Sequence, residues 1–223
     1  MGLERMEVVF FRGPGRLQPV QQFLEELGPA ERRAAAENQV DRLAMLSTDD
    51  PPLPAPWDEQ VEAELRALRV RVGRHVYRVV YRRFRNLFIL LHAFEGGGAL
   101  IPEDEMRVAR RNHARSKVSR RTAEGLNTPI GLSFDAHIAA AELDDDYRTA
   151  RARLDAFEQV ARLLIRYRID HGLSQTQLAE RAGVSHSVVS RIETGQHRTN
   201  LDTLGKIARS LGRRLAVSFE PLP

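Results

Sequence analysis

Apolar residues recur at helical spacing through Phe157, Val160, Ala161, Leu164 and Ile165, which predicts a helix over Leu154–His171. Two short helices should follow, from about Ser174 to Ala182 and from about Ser185 to Thr194. Leu178, Ala182, Val184, Val189 and Ile192 stand where two crossing helices share a small core. Ala179 is small at the expected crossing, and Gly183 stands at the turn, where a left-handed backbone favours glycine. Ser174 can cap the first of the pair with Gln177 at the reciprocal position, and Ser185 can cap the second. Asn200 is a plausible cap for Leu201–Leu211, which keeps Leu201, Leu204, Ile207, Ala208 and Leu211 on one face before Gly212 stops it. The closing run Arg213–Phe219 alternates, with Leu215, Val217 and Phe219 on one side, and predicts a strand that needs a partner edge.

In the first half the period is that of strands. Residues 6–12, MEVVFFR, read as a strand. Pro19–Leu27 and Ala30–Leu46 read as helices separated by Gly28-Pro29, and Asp50–Pro56 as a proline-rich loop. Leu68–Val72 alternates apolar and basic, with Arg69 and Arg71 on one face; Gly73-Arg74 suggests a hairpin turn. Val76–Arg82 and Leu87–Phe94 continue as strands, the last nearly all apolar and therefore central. Glu103–Arg120 is a closing helix, basic along Arg107, Arg110, Arg111, Arg115 and Lys117. This order predicts a small α+β domain with helices on one curved antiparallel sheet, followed by an all-α helix-turn-helix domain with a C-terminal strand. Arg121–Leu132 reads as a linker, and Ser133–Ala141 and Asp144–Asp155 as two further helices. The expected division is residues 1–120, a linker over 121–132, and 133–223, with the helix-turn-helix bundle over about 154–212.

Composition narrows the function classes. No long apolar run spans a membrane, the N-terminus lacks a signal-peptide pattern, and there is no cysteine, so a cytoplasmic protein without disulfides or a thiol metal site is expected. No cofactor or metal is called for. The net charge of +4 is unevenly placed: residues 1–122 hold 21 Lys+Arg against 17 Asp+Glu, and residues 123–223 hold 13 of each. The half expected to bind DNA is not the basic half.

The lines LSQTQLAERAGVSHSVVSRIETGQ and NLDTLGKIARSLG resemble the Cro/CI-type (XRE) repressor domains. The resemblance implies operator DNA as partner, a homodimer, and DNA-facing residues Gln175, Ser185, His186, Ser187, Ser190 and Arg191. Arg168 and Glu193 match a pair that ties the first helix to the reading helix in some members.

The words VVFFRGPG, PVQQFLEELG, LRVRVGRHVYRVVYR and ILLHAFEGGGALIPEDEMRVARRNH resemble the RelE-like toxins, specifically the phage-derived HigB-like branch. Such toxins cut messenger RNA, typically on the ribosome. The reaction needs a base for the ribose 2′-OH, an acid for the leaving oxygen and cations for the phosphate. By position, Arg69 and Arg78 match the family's catalytic arginines. Tyr77, Tyr81, His75 and His92 are conceivable proton-transfer groups, although Tyr77 and His92 read more simply as packing residues. Where the family carries loop lysines this chain has Gly96, Gly97 and Leu100. The fold frame is kept while a cationic RNA-holding loop is lost.

SFDAHIAAAELDDDYRTAR resembles the segment that precedes the helix-turn-helix in HigA-like antitoxins. The whole chain therefore resembles a toxin and its antitoxin fused, with an intramolecular contact between them. Three functions stay open: a DNA-binding repressor acting on its own promoter; a latent ribosome-dependent mRNA endonuclease neutralised in cis; and an interaction module in which the toxin fold only binds or dimerises.

Overall fold

The structure is a computed structural model that describes residues 4–117 and 129–217. It divides into two compact units, Met1–Ala156 and Phe157–Pro223.

The first unit is built on six strands: β1 (Glu7–Phe11), β2 (Asp58–Glu62), β3 (Leu65–Val72), β4 (His75–Phe84), β5 (Leu87–Glu95) and β6 (Ile130–Ser133). They lie in the order β2-β3-β4-β5-β1-β6. The sheet is mixed, not antiparallel as expected, because β1 runs parallel to β5, with Val9 opposite Ile89. Two helices separate β1 from β2, so the chain crosses over before it returns to the sheet, and a crossover permits a parallel pair. The hairpin turn expected at Gly73-Arg74 joins β3 to β4, and Gly73 has φ 59°.

Helices α1 (Pro19–Glu25) and α2 (Ala30–Asp41) cover one face of the sheet, and α3 (Glu103–Ser116) covers the other. Strand alternation sorts the side chains between them. Val9, Phe11, Leu65, Ala67, Val80, Ile89 and Leu91 pack with Met106 and Ala109 of α3. Phe10 lies on the opposite face, against residues that follow β6.

Strand β2 was not expected. DEQVE carries three acids and only one apolar residue, a common makeup for an edge strand exposed to solvent. It begins with a buried carboxylate. Asp58 accepts from Tyr81 OH at 2.9 Å and from Arg66 Nε at 2.7 Å. Burial raises its pKa to about 6, against the lowering effect of Arg66 and Tyr81. A carboxyl whose folded pKa lies above its unfolded value of 3.8 favours folding below that value and loses the benefit as pH rises through 6. The Asp58→Asn chain should therefore gain on the wild type by about 2 kcal/mol between pH 4 and pH 7, in urea unfolding of the first unit. A gap independent of pH would show that Asp58 does not titrate there.

Residues 121–128 of the expected linker lie outside the described residues, and 130–156, expected as its end and two separate helices, fold with the first unit. After β6, Ser133 caps α4 (Phe134–Ala141) through the Ala136 N–H. A single helix, α5 (Asp145–His171), then replaces the two helices expected over 144–155 and 154–171. The front of α5 packs Tyr147 and Ala150 against Ala34 of α2 and Ala141 of α4. Strand β6 pairs antiparallel with β1, with Val9 opposite Ser133, and so covers that edge. Gly131 makes the approach possible, because a Cβ there would come within 3.0 Å of the Phe10 carbonyl and would overlap the Gln18 side chain.

The second unit holds the rear of α5 with α6 (Gln175–Ala182), α7 (His186–Glu193) and α8 (Leu201–Ser210). Leu164, Leu178, Ala179, Ala182, Val189, Ile192 and Ile207 form its core. The C-terminal strand is not formed among the described residues: 213–217 take no regular secondary structure, and Val217 is 62% exposed. A strand needs an edge to pair with, and none is offered to this run. Phe219 lies outside the described residues.

Candidate functional sites

The second unit presents a helix pair whose angle is set by local chemistry. Ser174 and Gln177 form the full capping box at the start of α6. Gly183 ends it with φ 63°. Val184 then returns its N–H to the Ala179 carbonyl at 3.0 Å, which turns the chain into α7. Val189 and Ile192 face the core. The opposite face of α7 is open: Ser185, His186, Ser187 and Arg191 are exposed and Ser190 is half-buried. The Arg191 guanidinium has only a long local bond, Nε to the Ser187 carbonyl at 3.4 Å.

Beneath that surface lies a buried polar lock. Glu193, fully buried, accepts from Arg168 Nη1 at 2.7 Å and from Gln175 Nε2 at 2.8 Å. Arg168 also donates from Nε to the Leu173 carbonyl at 3.0 Å, which holds the turn between α5 and α6. Burial holds the Arg168 pKa below its ordinary range, and Glu193 opposes the shift. The expected pair is thus present. Gln175 is placed differently from expectation: its side chain is 4% exposed and turned inward, because the buried carboxylate needs a second donor.

The first unit carries the other candidates. Arg69 and Arg78 sit directly opposite each other on β3 and β4. Arg78 is 2% exposed, and burial lowers its pKa. It pairs with Glu59 of β2 through Nη1 and donates from Nη2 to the Gly98 carbonyl at 2.7 Å. The Arg69 Nε is buried and finds no hydrogen-bond partner among the described residues. His92, opposite Val80 on the neighbouring row, has Nε2 at 2.5 Å from a Glu105 carboxylate oxygen.

The remaining candidates point away. Tyr77 packs edge-on against Phe23 of α1, and His75 stacks on Tyr77 while pairing with Glu95 at 2.7 Å. The Tyr81 hydroxyl is spent on Asp58, and burial raises its pKa. These three alternate with Arg78 and Val80 along β4 and lie on the α1–α2 face. The sheet thus brings Arg69, Arg78 and His92 together and separates them from both tyrosines. Glu59 was missed because β2 was missed.

The loop after β5 comes close to Arg78. A Cβ on Gly96 would meet the Phe94 ring at 3.2 Å, one on Gly97 would only touch Val76 at 3.6 Å, and Leu100 is 87% exposed. Lysine would fit at 97 and 100 but would displace Phe94 at 96.

Residues 130–156 dock on the α1–α2 side. Glu37 of α2, fully buried, accepts from Arg33 Nε at 2.9 Å, lies 2.7 Å from His137 Nε2, and accepts from the Tyr147 hydroxyl. Burial alone would raise the Glu37 pKa, but bonds from His137, Tyr147 and Arg33 leave it lowered. Phe134 lies tilted against Phe10 and His137 meets it edge-on, at 5.7 and 5.2 Å between ring centroids. This docking leaves the face of Arg69 and Arg78 to α3.

Residues 22–114 match the family described as phage-derived protein Gp49-like, and residues 164–217 match the helix-turn-helix family. The chain joins a Gp49-like domain to a helix-turn-helix domain. The resemblances to a HigB/RelE-like toxin and to an XRE-type domain, fused in that order, hold. The Gp49-like match takes in α2, β2–β5 and most of α3, while β1 and β6 lie outside it; the helix-turn-helix match takes in α6–α8.

Among curated proteins the chain is similar to Antitoxin HicB 1 of Photorhabdus laumondii subsp. laumondii, 40% identical over 58 residues. That match covers 26% of this chain and 37% of the relative. An uncharacterized HTH-type transcriptional regulator of Haemophilus influenzae is 29% identical over 90 residues, covering 40% of this chain and 88% of the relative. Among solved structures, a toxin-antitoxin module from Streptococcus pneumoniae is 37% identical over 39% of this chain and 90% of its own, with a TM-score of 0.30. Among the described residues, no helix is long and apolar enough to cross a membrane.

Proposed function

We propose that the chain is a sequence-specific DNA-binding repressor of its own promoter whose toxin-like half is weakened or inactive. The observation that carries this is the α7 surface. Ser185, His186, Ser187 and Arg191 stand clear of the core on a helix held from behind by Glu193. Arg191 is suited to a bidentate guanine contact, and His186, Ser187 and Ser190 to the groove edge. The inward side chain of Gln175 leaves its part in DNA binding to lie in fixing α6, not in holding a phosphate through its amide. Functionally the division follows the resemblance, with 1–120 toxin-like and 133–223 antitoxin-like, although residues 130–156 fold with the first unit.

A homodimer would read two half-sites about 34 Å apart, or roughly 10 base pairs. Arg191→Ala is expected to weaken operator binding by about 1–3 kcal/mol and binding to random DNA by less. Fluorescence anisotropy on the upstream DNA and on a scrambled duplex measures both. An equal loss on the two would mean that Arg191 reads only the backbone, and no binding to the upstream DNA would end the autorepressor reading.

The second reading, an mRNA endonuclease neutralised in cis, is favoured by one observation: Arg69, Arg78 and His92 still share a face of the sheet. Two observations weigh against an active site hidden by its antitoxin half. Residues 130–156 dock on the other face, and the loop-lysine positions hold Gly96, Gly97 and Leu100. Its partners would be the ribosome and mRNA.

A further inference from the structure

We propose that Arg69 and Arg78 form a phosphate-binding site that Glu59 fills from within the same domain. The inference rests on reading the first domain as a silenced toxin, and it names what silences the arginine pair.

Two arginines directly opposite each other across an antiparallel ladder repel, and the repulsion grows as they leave water. Arg78 is almost fully buried and Arg69 has a buried Nε without a partner. Such a pair calls for an anion between or beside its guanidinium groups. Glu59 supplies it. This residue stands opposite Ala67 on the edge strand, one row from the arginines, with 44% of its side chain exposed. The anion therefore reaches a buried cation from a solvent-facing strand, along the path a phosphate would take. A carboxylate and a phosphate oxygen accept from guanidinium N–H groups in the same way, so they compete for one place. The Gly98 carbonyl takes a further donor of Arg78. On the adjacent row a Glu105 carboxylate oxygen lies against His92 Nε2. The Arg69 Nε is the unused donor that a phosphate would gain.

The shared chemistry is a phosphate group, from inorganic phosphate or from an RNA backbone. The test uses the full chain as wild type, Glu59→Gln and the double variant Glu59→Gln/Arg69→Gln, with a labelled oligouridine as probe. Binding is read by anisotropy at fixed salt, with inorganic phosphate as competitor. The Glu59→Gln chain should bind RNA about tenfold more tightly than wild type. Phosphate should displace the added binding, and the double variant should return to the wild-type level. Equal affinity of wild type and Glu59→Gln would overturn the proposal, as would a gain that survives the double variant or resists phosphate. If Glu59→Gln does not fold, Glu59→Ala carries the test: a saturating shift of its Arg69 Nε–Hε signal under rising phosphate, larger than in wild type, supports the site, and no shift in the variant overturns it. Cleavage is assayed separately. RNA bound but not cut leaves the phosphate site standing and sinks only the nuclease reading, whereas operator binding by α7 is untouched by either result.

Discussion

Arg168→Ala should cost the second unit about 3–5 kcal/mol, enough to unfold much of a domain of that size at ordinary temperature. The reason is the residue left behind. Glu193 is fully buried, and removing Arg168 takes the guanidinium from its carboxylate while the neutral amide of Gln175 stays. Glu193→Gln should cost less than Arg168→Ala: it leaves the Arg168 charge without its carboxylate, but the amide oxygen can still accept from Arg168 and the Leu173 carbonyl still accepts from its Nε. Chemical unfolding followed by circular dichroism would rank the variants. If both cost under about 1 kcal/mol, the pair is better hydrated than its burial indicates. DNA binding should fail in Arg168→Ala even where the fold survives, since Arg168 also holds the Leu173 carbonyl at the turn into α6.

Glu37→Ala should be comparably severe in the first unit, again about 3–5 kcal/mol. Arg33, His137 and Tyr147 all converge on that carboxylate. His137 is 2% exposed, so its Nε2 would lose its carboxylate inside the protein. The loss should appear first as undocking of residues 130–156 from α2. Hydrogen exchange would detect it as faster exchange at Leu132 and through α4 than in β4 and β5. Uniform acceleration across the sheet would show instead that Glu37 supports the whole unit.

The helix-turn-helix was legible because its signals are local. A cap, a left-handed glycine and a 3.6-residue period each act within a few positions, and Ser174, Gly183 and Asn200 behave as their chemistry dictates. The strands containing Arg69 and Arg78 were legible for the same reason. What failed was non-local. The parallel pairing of β1 with β5 cannot be read from either strand. Strand β2 is too polar to show alternation. Helix α5 read as two helices because its apolar residues serve two clusters: Tyr147 and Ala150 pack with Ala34 and Ala141, while Val160 and Leu164 pack in the helix-turn-helix core. Gln175 was expected outside because a polar residue at a helix start usually is; only the buried Glu193 explains its inward turn. The arginine cluster was found by its words, but its anion was not, since Glu59 lies on the strand that was missed.

Strand β1 is translated first, yet its ladder partners arrive last. Val9 must wait for Ile89, eighty positions later, and then for Ser133. A nascent chain growing at about 5–20 residues per second carries that unpaired apolar strand for several seconds. Until residue 133 has cleared the ribosome, one side of VVFF remains a sticky template for another polypeptide. Cutting the chain at residue 120 would make that transient permanent. The Gp49-like sheet thus takes its last rung from residues beyond the Gp49-like match, so a split of the chain between the two would leave that edge bare.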